Sequence, residues 1–470
     1  MDNVNKPHIV LVLADQVAAG ALPTYGNRVA IAPNLARLGA EGVVYERAYC
    51  ASPLCVPSRA SLMTGLLPSR TGAIDNAGEL PAGVPTFAHH LRLQGYRTVL
   101  VGKMHFIGPD QLHGFEERPM TDVYPAGFDW IPDWELAADE RLPWYHDLSS
   151  VLRAGPVTAT LQSDYDDEVV RRAQDVLADV TQPLLLVVSF THPHDPYEVP
   201  HAYWDRYEGV AIDAPARPQP GDDPSTRRLR AMVDAERIPV LDEQVQRARR
   251  CYYGAISLVD DYVGRILDAL PGDAVVVFTS DHGDMLGERG LWYKMAPFEQ
   301  STQVPLIVHA PERFAPRRVA QAVSLLDLAP TLVALGGGAP DQTIDGIDVL
   351  GGEAPARDIP LEYLAEGVCS PQVTLVRGDR KLVRTLGEPD LVYDAQDELV
   401  DDGSLAAAAD ARWDLEALDR EVRASQRRRR VVRDALATGH VTKWDHPEGD
   451  GRYIDTGDDF WSTLERARRV

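Results

Sequence analysis

The chain has 470 residues, 44% hydrophobic and 25% charged, an ordinary globular composition with ample material for a large core. Its 47 Lys and Arg face 71 Asp and Glu, and a net charge of −24 argues against nucleic acid or an anionic membrane as a partner. The same field repels a free anion, so any anion site needs strong local positive charge, and a cationic or zwitterionic substrate suits the surface better.

Length predicts one large domain with an appendage, or two to three domains. The four cysteines, Cys50, Cys55, Cys251 and Cys369, have neither metal-knuckle spacing nor a dense disulfide framework. Met1 to Lys6 is polar and lacks the basic and apolar regions of a signal peptide. Apolar runs are too short to span a bilayer, so the expectation is a soluble, cytoplasmic protein.

His8 to Ala14 is a continuous apolar run, the pattern of a buried parallel strand. It ends at Asp15-Gln16, and strand ends of this kind are where open α/β sheets hold ligands. Asp15 reads as a turn or capping residue or as a metal ligand, with Gln16 beside it offering a neutral oxygen. Pro33 to Gly42 is helical and Val43 to Tyr45 is a short strand.

Pro57 to Thr64 reads as a helix with Pro near its first position and Gly65 as its stop. That places Cys55 just ahead of a helix N-terminus, whose partial positive charge and unpaired N–H groups suit an anion. Arg59 adds a charge that can fork onto two oxygens. A small buried hydrophobe is the plainer reading of Cys55.

Thr71 to Pro85 is a loop containing Asn76, followed by an amphipathic helix, Thr86 to Gln94. Arg97 to Val101 is a strand ending at Gly102-Lys103-Met104-His105, where Lys103 and His105 project to one side if extension continues. Phe106 to Asp147 lacks periodicity and is rich in Trp, Tyr, Pro and Asp. Such long irregular stretches usually serve a function, although any one tryptophan more often packs the loop.

Asp164 to Val180 is an acidic amphipathic helix, and Pro183 to Phe190 a buried strand ending at Thr191-His192-Pro193-His194-Asp195. Residues 212 to 226 read as an exposed loop. Leu241 to Leu270 is a long helix. Ala274 to Ser280 is a strand leading into Asp281-His282-Gly283-Asp284, with Lys294 following in a loop. Two such strand ends lying side by side would bring Asp15, Asp281 and His282 together beside Cys55. Val304 to His309 is a strand and Ser324 to Leu335 a helix.

Near residue 360 the character changes. Thr374 to Val376 and Lys381 to Arg384 read as a hairpin around Gly378-Asp379, followed by Leu391 to Tyr393 and an acidic, Ala-rich helical stretch. Arg427 to Arg430 reads as a solvated helix face. Thr442 to Val470 holds Trp444, Tyr453, Phe460 and Trp461 among acids, too aromatic for simple disorder.

Cys55-x-Pro57-Ser58-Arg59, with Leu62 to Gly72 as Leu-x-x-Gly-x-x-Pro-Ser-Arg-Thr-Gly, resembles the signature of type I sulfatases. Motifs at Asp15, Lys103, His194, Asp281 and Lys294 follow in the family's order, across most of the first 300 residues. Ser52 to Asn76, Gly102 to Trp134 and Ser280 to Met295 narrow the resemblance to the choline-sulfatase branch. It implies an alkaline-phosphatase-like α/β sandwich with a mostly parallel central sheet over residues 1–360. Residues 361–470 would form a smaller antiparallel-sheet subdomain with an oligomerisation tail, in a homodimer or homotetramer.

The resemblance also implies chemistry. Cys55 would be oxidised to formylglycine by a separate formylglycine-generating enzyme, and its hydrate would attack a sulfate ester. One divalent metal would be held by Asp15, Gln16, residue 55, Asp281 and His282. Calcium suits the oxygen ligands, and the imidazole of His282 shifts the odds toward manganese. Arg59, Lys103 and Lys294 would stabilise sulfate oxygens. His194 (with His192 as the nearby alternative) or Lys294 would protonate the leaving oxygen, and His105 would take the proton that releases sulfate.

A quaternary ammonium is held by aromatic faces and carboxylates. The resemblance selects Trp130, with Asn76, His146 and Glu366, and an acid of a neighbour's tail such as Asp455 or Asp458. The expected substrate is choline O-sulfate. Phosphonate monoester and phosphodiester hydrolases, which share the Asp-His pair, and broader arylsulfatases are the rival enzymes. A non-catalytic anion- or metal-binding protein that keeps its thiol is the rival of another class.

Overall fold

The computed structural model describes residues 6–128, 146–339, 343–352, 355–436 and 438. Among them, the longest apolar runs become a seven-stranded sheet. In chain order its strands are β1 (Ile9–Ala14), β2 (Val43–Tyr45), β3 (Arg97–Gly102), β4 (Leu184–Ser189), β5 (Val275–Ser280), β6 (Leu306–His309) and β7 (Arg317–Val319). Across the sheet they run β7-β2-β6-β5-β1-β4-β3. Only β6 runs against its neighbours β2 and β5; the other pairings are parallel.

Period-2 alternation explains why β1 is apolar throughout. Val10, Val12 and Ala14 enter one core, and Ile9, Leu11 and Leu13 enter the other. Helices α1 (Pro33–Glu41), α4 (Leu161–Ala178) and α5 (Asp242–Leu267) pack in the first core; α2 (Cys55–Thr64), α3 (Phe87–Leu93) and α6 (Leu328–Leu335) pack in the second. The result is the three-layer arrangement expected of an alkaline-phosphatase-like fold.

Local chemistry moves some boundaries. Helix α4 begins three residues before the expected Asp164, because Thr160 and Ser163 cap it reciprocally, each hydroxyl accepting the other's N–H at 2.9 Å. Residues 212–226 are not wholly loop. Asp223 accepts the Thr226 N–H at 2.9 Å and starts a helix, Pro224–Met232.

A four-stranded antiparallel sheet follows: β8 (Ile359–Tyr363), β9 (Gln372–Arg377), β10 (Arg380–Thr385) and β11 (Leu391–Tyr393). The turn between β9 and β10 falls at Gly378-Asp379, as the hairpin reading places it. Ile359, Leu361 and Val376 join the core that holds α2 and α6. Helix α7 (Leu415–Leu436) lays Leu418 and Val422 on Leu364, Ala365, Val373 and Ile74. The expected domain boundary at residue 360 falls inside β8. Arg429 departs from the solvated-face reading of Arg427 to Arg430, because it forks onto the buried Asp75 at 2.6 and 2.5 Å. No helix among the described residues is long and apolar enough to cross a membrane.

Candidate active site

Strand register builds the site. Ala14 of β1 lies opposite Ser280 of β5, so Asp15 and Asp281 leave the sheet side by side. Gly102 of β3 lies opposite Ser189 of β4, which brings Lys103 to the same edge. Gly102 has φ +103°, and a Cβ there would sit 2.0 Å from the Ser189 carbonyl oxygen, so only glycine lets the chain turn Lys103 inward. Ligand atoms of Asp15, Cys55, Asp281 and His282 all lie within 4.8 Å of one another, and all four residues are buried.

Cys55 is the first residue of α2 and does not precede it, because Pro57 is tolerated in a first turn where no N–H is needed. The first turn is also less open to an anion than its sequence suggests. The Val56 N–H donates to Asn76 Oδ1 at 3.0 Å, and the Ser58 N–H donates to the Leu54 carbonyl at 3.0 Å. The Ser58 hydroxyl pins the helix to the Asp281 carbonyl at 2.6 Å.

Arg59 likewise places its fork on the protein. Nε donates to Asp281 Oδ2 at 2.8 Å and Nη2 stands 3.3 Å from Asp15 Oδ2. Nη1 donates to the Lys103 carbonyl at 2.8 Å and to Ser189 Oγ at 3.0 Å. It therefore braces four strand tips, those of β1, β3, β4 and β5. Lys103 Nζ bonds Asp15 Oδ2 and lies 4.1 Å over the Tyr124 ring. His105, at φ 61°, stacks on the same ring at 4.5 Å, and its N–H donates to Asp122 at 2.6 Å.

Gln16 sits against the acidic cluster, its backbone N–H donating to Asp281 Oδ1 at 3.1 Å. Its amide oxygen accepts from Lys294 at 2.8 Å, while its amide nitrogen donates to Asp284 at 2.7 Å. Lys294 Nζ donates to His194 Nε2 at 2.5 Å, and His194 Nδ1 donates to the Asp195 carbonyl at 2.8 Å. His192 is turned onto Asp166 of α4 at 2.7 Å. His146 lies 3.5 Å from Asp195 and stacks on Tyr293 at 4.7 Å. Asn76 donates to Glu366 from its backbone N–H at 2.9 Å and from its side-chain amide at 3.1 Å, so that pair stands directly behind the first turn of α2. Trp130, Asp455 and Asp458 lie outside the described residues.

Burial alone would raise the Asp15 carboxyl, but its permanently charged neighbours, Lys103 foremost and then Arg59, hold it well below the usual carboxylate range. Burial pushes the Cys55 thiol up to about 12 against the pull of Lys294 and Lys103, so the encoded residue is a neutral thiol and a weak nucleophile. Burial, then Lys103 and Arg59, drive His105 well below the ordinary histidine range. Burial and Lys294 do the same to His194. Both imidazoles are therefore neutral and able to accept a proton.

The cluster fits a divalent cation. His282 Nδ1 donates to the Gly283 carbonyl at 3.1 Å, which leaves Nε2 as the inward lone pair, 3.2 Å from Cys55 Sγ. Asp15 Oδ1 is buried without a hydrogen bond, 3.8 Å from that same Nε2. Two carboxylates, an imidazole lone pair and a fourth donor from residue 55 make a plausible set for a hard or borderline ion.

Sequence reading missed the supporting residues. Asp195 had a signal, since it sits in the same His-Pro-His-Asp-Pro run as His194. Asp284 had one too, in the Asp281-His282-Gly283-Asp284 run, whereas Tyr124, Asp122 and Asp166 carry no local pattern, and only folding brings them to the site.

A family model described as Sulfatase matches residues 7–338, well over half of the chain. The chain belongs to the sulfatase family. That membership makes it a sulfuric ester hydrolase and implies a metal ion and a formylglycine made from cysteine. A second model, described as the choline sulfatase enzyme C terminal, matches residues 420–469. The choline-sulfatase of Rhizobium meliloti is 40% identical, with 99% of this chain and 98% of that protein aligned. An arylsulfatase of Clostridium perfringens is 27% identical, over 70% of this chain and 74% of its own length. In fold the chain is similar to the phosphonate monoester hydrolase of Agrobacterium radiobacter, with TM-score 0.68 and 23% identity, over 89% of this chain and 96% of that one.

Proposed function

We propose that this sulfatase hydrolyses choline O-sulfate to choline and sulfate, using a formylglycine formed at position 55 by a separate generating enzyme. The observation that carries the reading is the convergence of Asp15, Cys55, Asp281 and His282 ligand atoms within 4.8 Å, ringed by Lys103, Arg59 and Lys294. The choline-sulfatase relative at 40% identity and the matching C-terminal segment support the choline part.

Asp15, Asp281, His282 and residue 55 hold the metal in this reading, with calcium favoured by the carboxylates and manganese by the imidazole. When bound, the ion supplies Lewis acidity at the sulfate and lowers the pKa of a hydroxyl on the hydrated formylglycine. Lys103 and Lys294 neutralise charge that grows on the sulfate oxygens. Arg59 acts one step back, by fixing both carboxylates and the Lys103 backbone. Because Lys294 donates to a neutral His194, the ammonium is the proton source at the leaving oxygen, and His194 orients it. His105, neutral and stacked on Tyr124, accepts the proton whose loss releases sulfate and restores the aldehyde.

Asn76 and Glu366 form a polar and anionic wall beside the nucleophile, and with Trp130 and His146 they would receive a quaternary ammonium. A net charge of −24 also favours a substrate with a cationic end over a simple anion. In the proposed homodimer or homotetramer, a tail acid such as Asp455 or Asp458 reaches a neighbour's pocket.

The test is kcat/KM on choline O-sulfate, 4-nitrophenyl sulfate and a phosphonate monoester, with formylglycine content set by intact mass. Preference for choline O-sulfate is expected. Equal or higher kcat/KM on the phosphonate ester would sink the assignment, and an unconverted thiol with full turnover would remove the nucleophile.

A further inference from the structure

Helix α7 begins more than 300 residues after the Cys55 motif, yet it grips the loop that follows that motif. Asp75 is almost wholly buried, and Arg429 of α7 forks onto its two oxygens at 2.6 and 2.5 Å. The next residue along the loop is Asn76, which bonds Glu366 through both its N–H and its amide, and takes the Val56 N–H at 3.0 Å. On the N-terminal side of this contact α7 packs apolar groups. Leu418 and Val422 meet Ile74 from the loop and Leu364 and Ala365 from the segment that leads to Glu366. One helix thus holds both halves of the Asn76–Glu366 wall.

A second tie secures the same region. Buried Glu362 of β8 accepts from the Ser69 N–H at 2.8 Å, from Ser69 Oγ at 3.0 Å and from Trp413 Nε1, just ahead of α7, at 2.8 Å. The nucleophile has its own anchors, since Ser58 and Arg59 fasten α2 to Asp281. Hence a slack loop at Asp75 displaces the wall more than it displaces Cys55.

We infer that the Asp75–Arg429 pair is a latch by which the C-terminal helix positions the Asn76–Glu366 wall, and so sets affinity for the cationic end of the substrate. Arg429 is a positioning residue acting through Asp75. The inference rests on the reading of that wall as the ammonium site. A buried forked pair is a suitable fixing point. Lysine cannot reproduce the fork, and loss of one partner leaves the other charge buried and uncompensated.

The experiment compares Arg429→Gln, Arg429→Lys and Glu366→Gln in the full chain on choline O-sulfate and 4-nitrophenyl sulfate, with thermal melting of each variant. Misplacement of a binding group by ~1 Å can cost up to ~100-fold. For Arg429→Gln we expect KM for choline O-sulfate to rise about tenfold, with kcat and the aryl reaction within about twofold. Arg429→Lys should fall between wild type and Arg429→Gln, and it carries the test if Arg429→Gln fails to fold. Unchanged KM in a folded Arg429 variant overturns the latch, as does an equal loss on both substrates. Glu366→Gln separates the two ideas. If it raises KM for choline O-sulfate and the Arg429 variants do not, only the latch fails. If it changes nothing, the wall itself is misread.

Discussion

The proposed sulfate end of the pocket rests on the tips of adjacent strands, whereas the Asn76–Glu366 end rests on a loop, a chain segment after β8 and helix α7. At the first end, Asp15, Asp281 and Lys103 come directly off β1, β5 and β3, and hydrogen-bonded sheet register fixes their spacing. At the second, spacing depends on side-chain contacts between segments distant in sequence. Chemistry common to a family suits the first kind of support, because a sheet tolerates change elsewhere without moving its tips. Substrate preference suits the second, because an appended sheet and helix can vary without disturbing the nucleophile.

That contrast can be broken most severely at residue 55. Cys55→Ala should remove turnover by about 10⁵-fold on every sulfate ester while the fold survives, as loss of a nucleophile does elsewhere. A folded variant with appreciable turnover, read by sulfate release, would refute the nucleophile.

Next in size is the proton acceptor. His105→Ala should slow turnover by roughly 10²–10⁴-fold, the usual range for a lost general base. Its distinguishing mark is accumulation of sulfated residue 55 in intact-mass spectra after substrate addition. Slow turnover without that adduct would move the role elsewhere.

Removal of divalent metal by a chelator should abolish turnover at the first end, and calcium or manganese should restore it. Restoration by one ion and not the other assigns the metal. Full activity after exhaustive chelation would contradict the cluster reading.

At the second end the effects are smaller and selective. Trp130→Ala should cost choline O-sulfate about tenfold more than 4-nitrophenyl sulfate in kcat/KM, the size of a desolvated cation–π contact. Equal losses would argue against an ammonium site.

Smallest of all is a pH effect on stability. Burial holds His282 and His146 at about 4, against an unfolded value near 6.5. Each group's contribution is fully present above pH 6.5 and is lost as pH falls from there toward 4, because the unfolded chain binds the proton first. Denaturant midpoints should therefore fall between pH 7 and 5. A midpoint unchanged over that span would mean the two imidazoles titrate normally.

Much of this protein could be read from residue order. The strands ending at Asp15, Lys103 and Asp281 are apolar runs with a polar stop, and that pattern marks both a buried strand and its functional tip. The hairpin at Gly378-Asp379 and the stop at Gly65 follow from local backbone preference. Local sequence could not say what each polar atom would meet. Arg59, read as an anion-binding fork, also braces strand tips, because Asp15 and Asp281 come within its reach only after β1 and β5 pair. Gln16, read as a neutral oxygen beside the metal, also joins Lys294 to Asp284, and both partners arrive from 268 or more positions away. Arg429 was expected in solvent and instead closes on Asp75, a pairing across 354 positions. Periodicity and turn chemistry act over a few residues and so are written locally. The partners of buried charges are chosen by whichever groups the packed layers bring together, and that is settled only when the sheets and helices have closed.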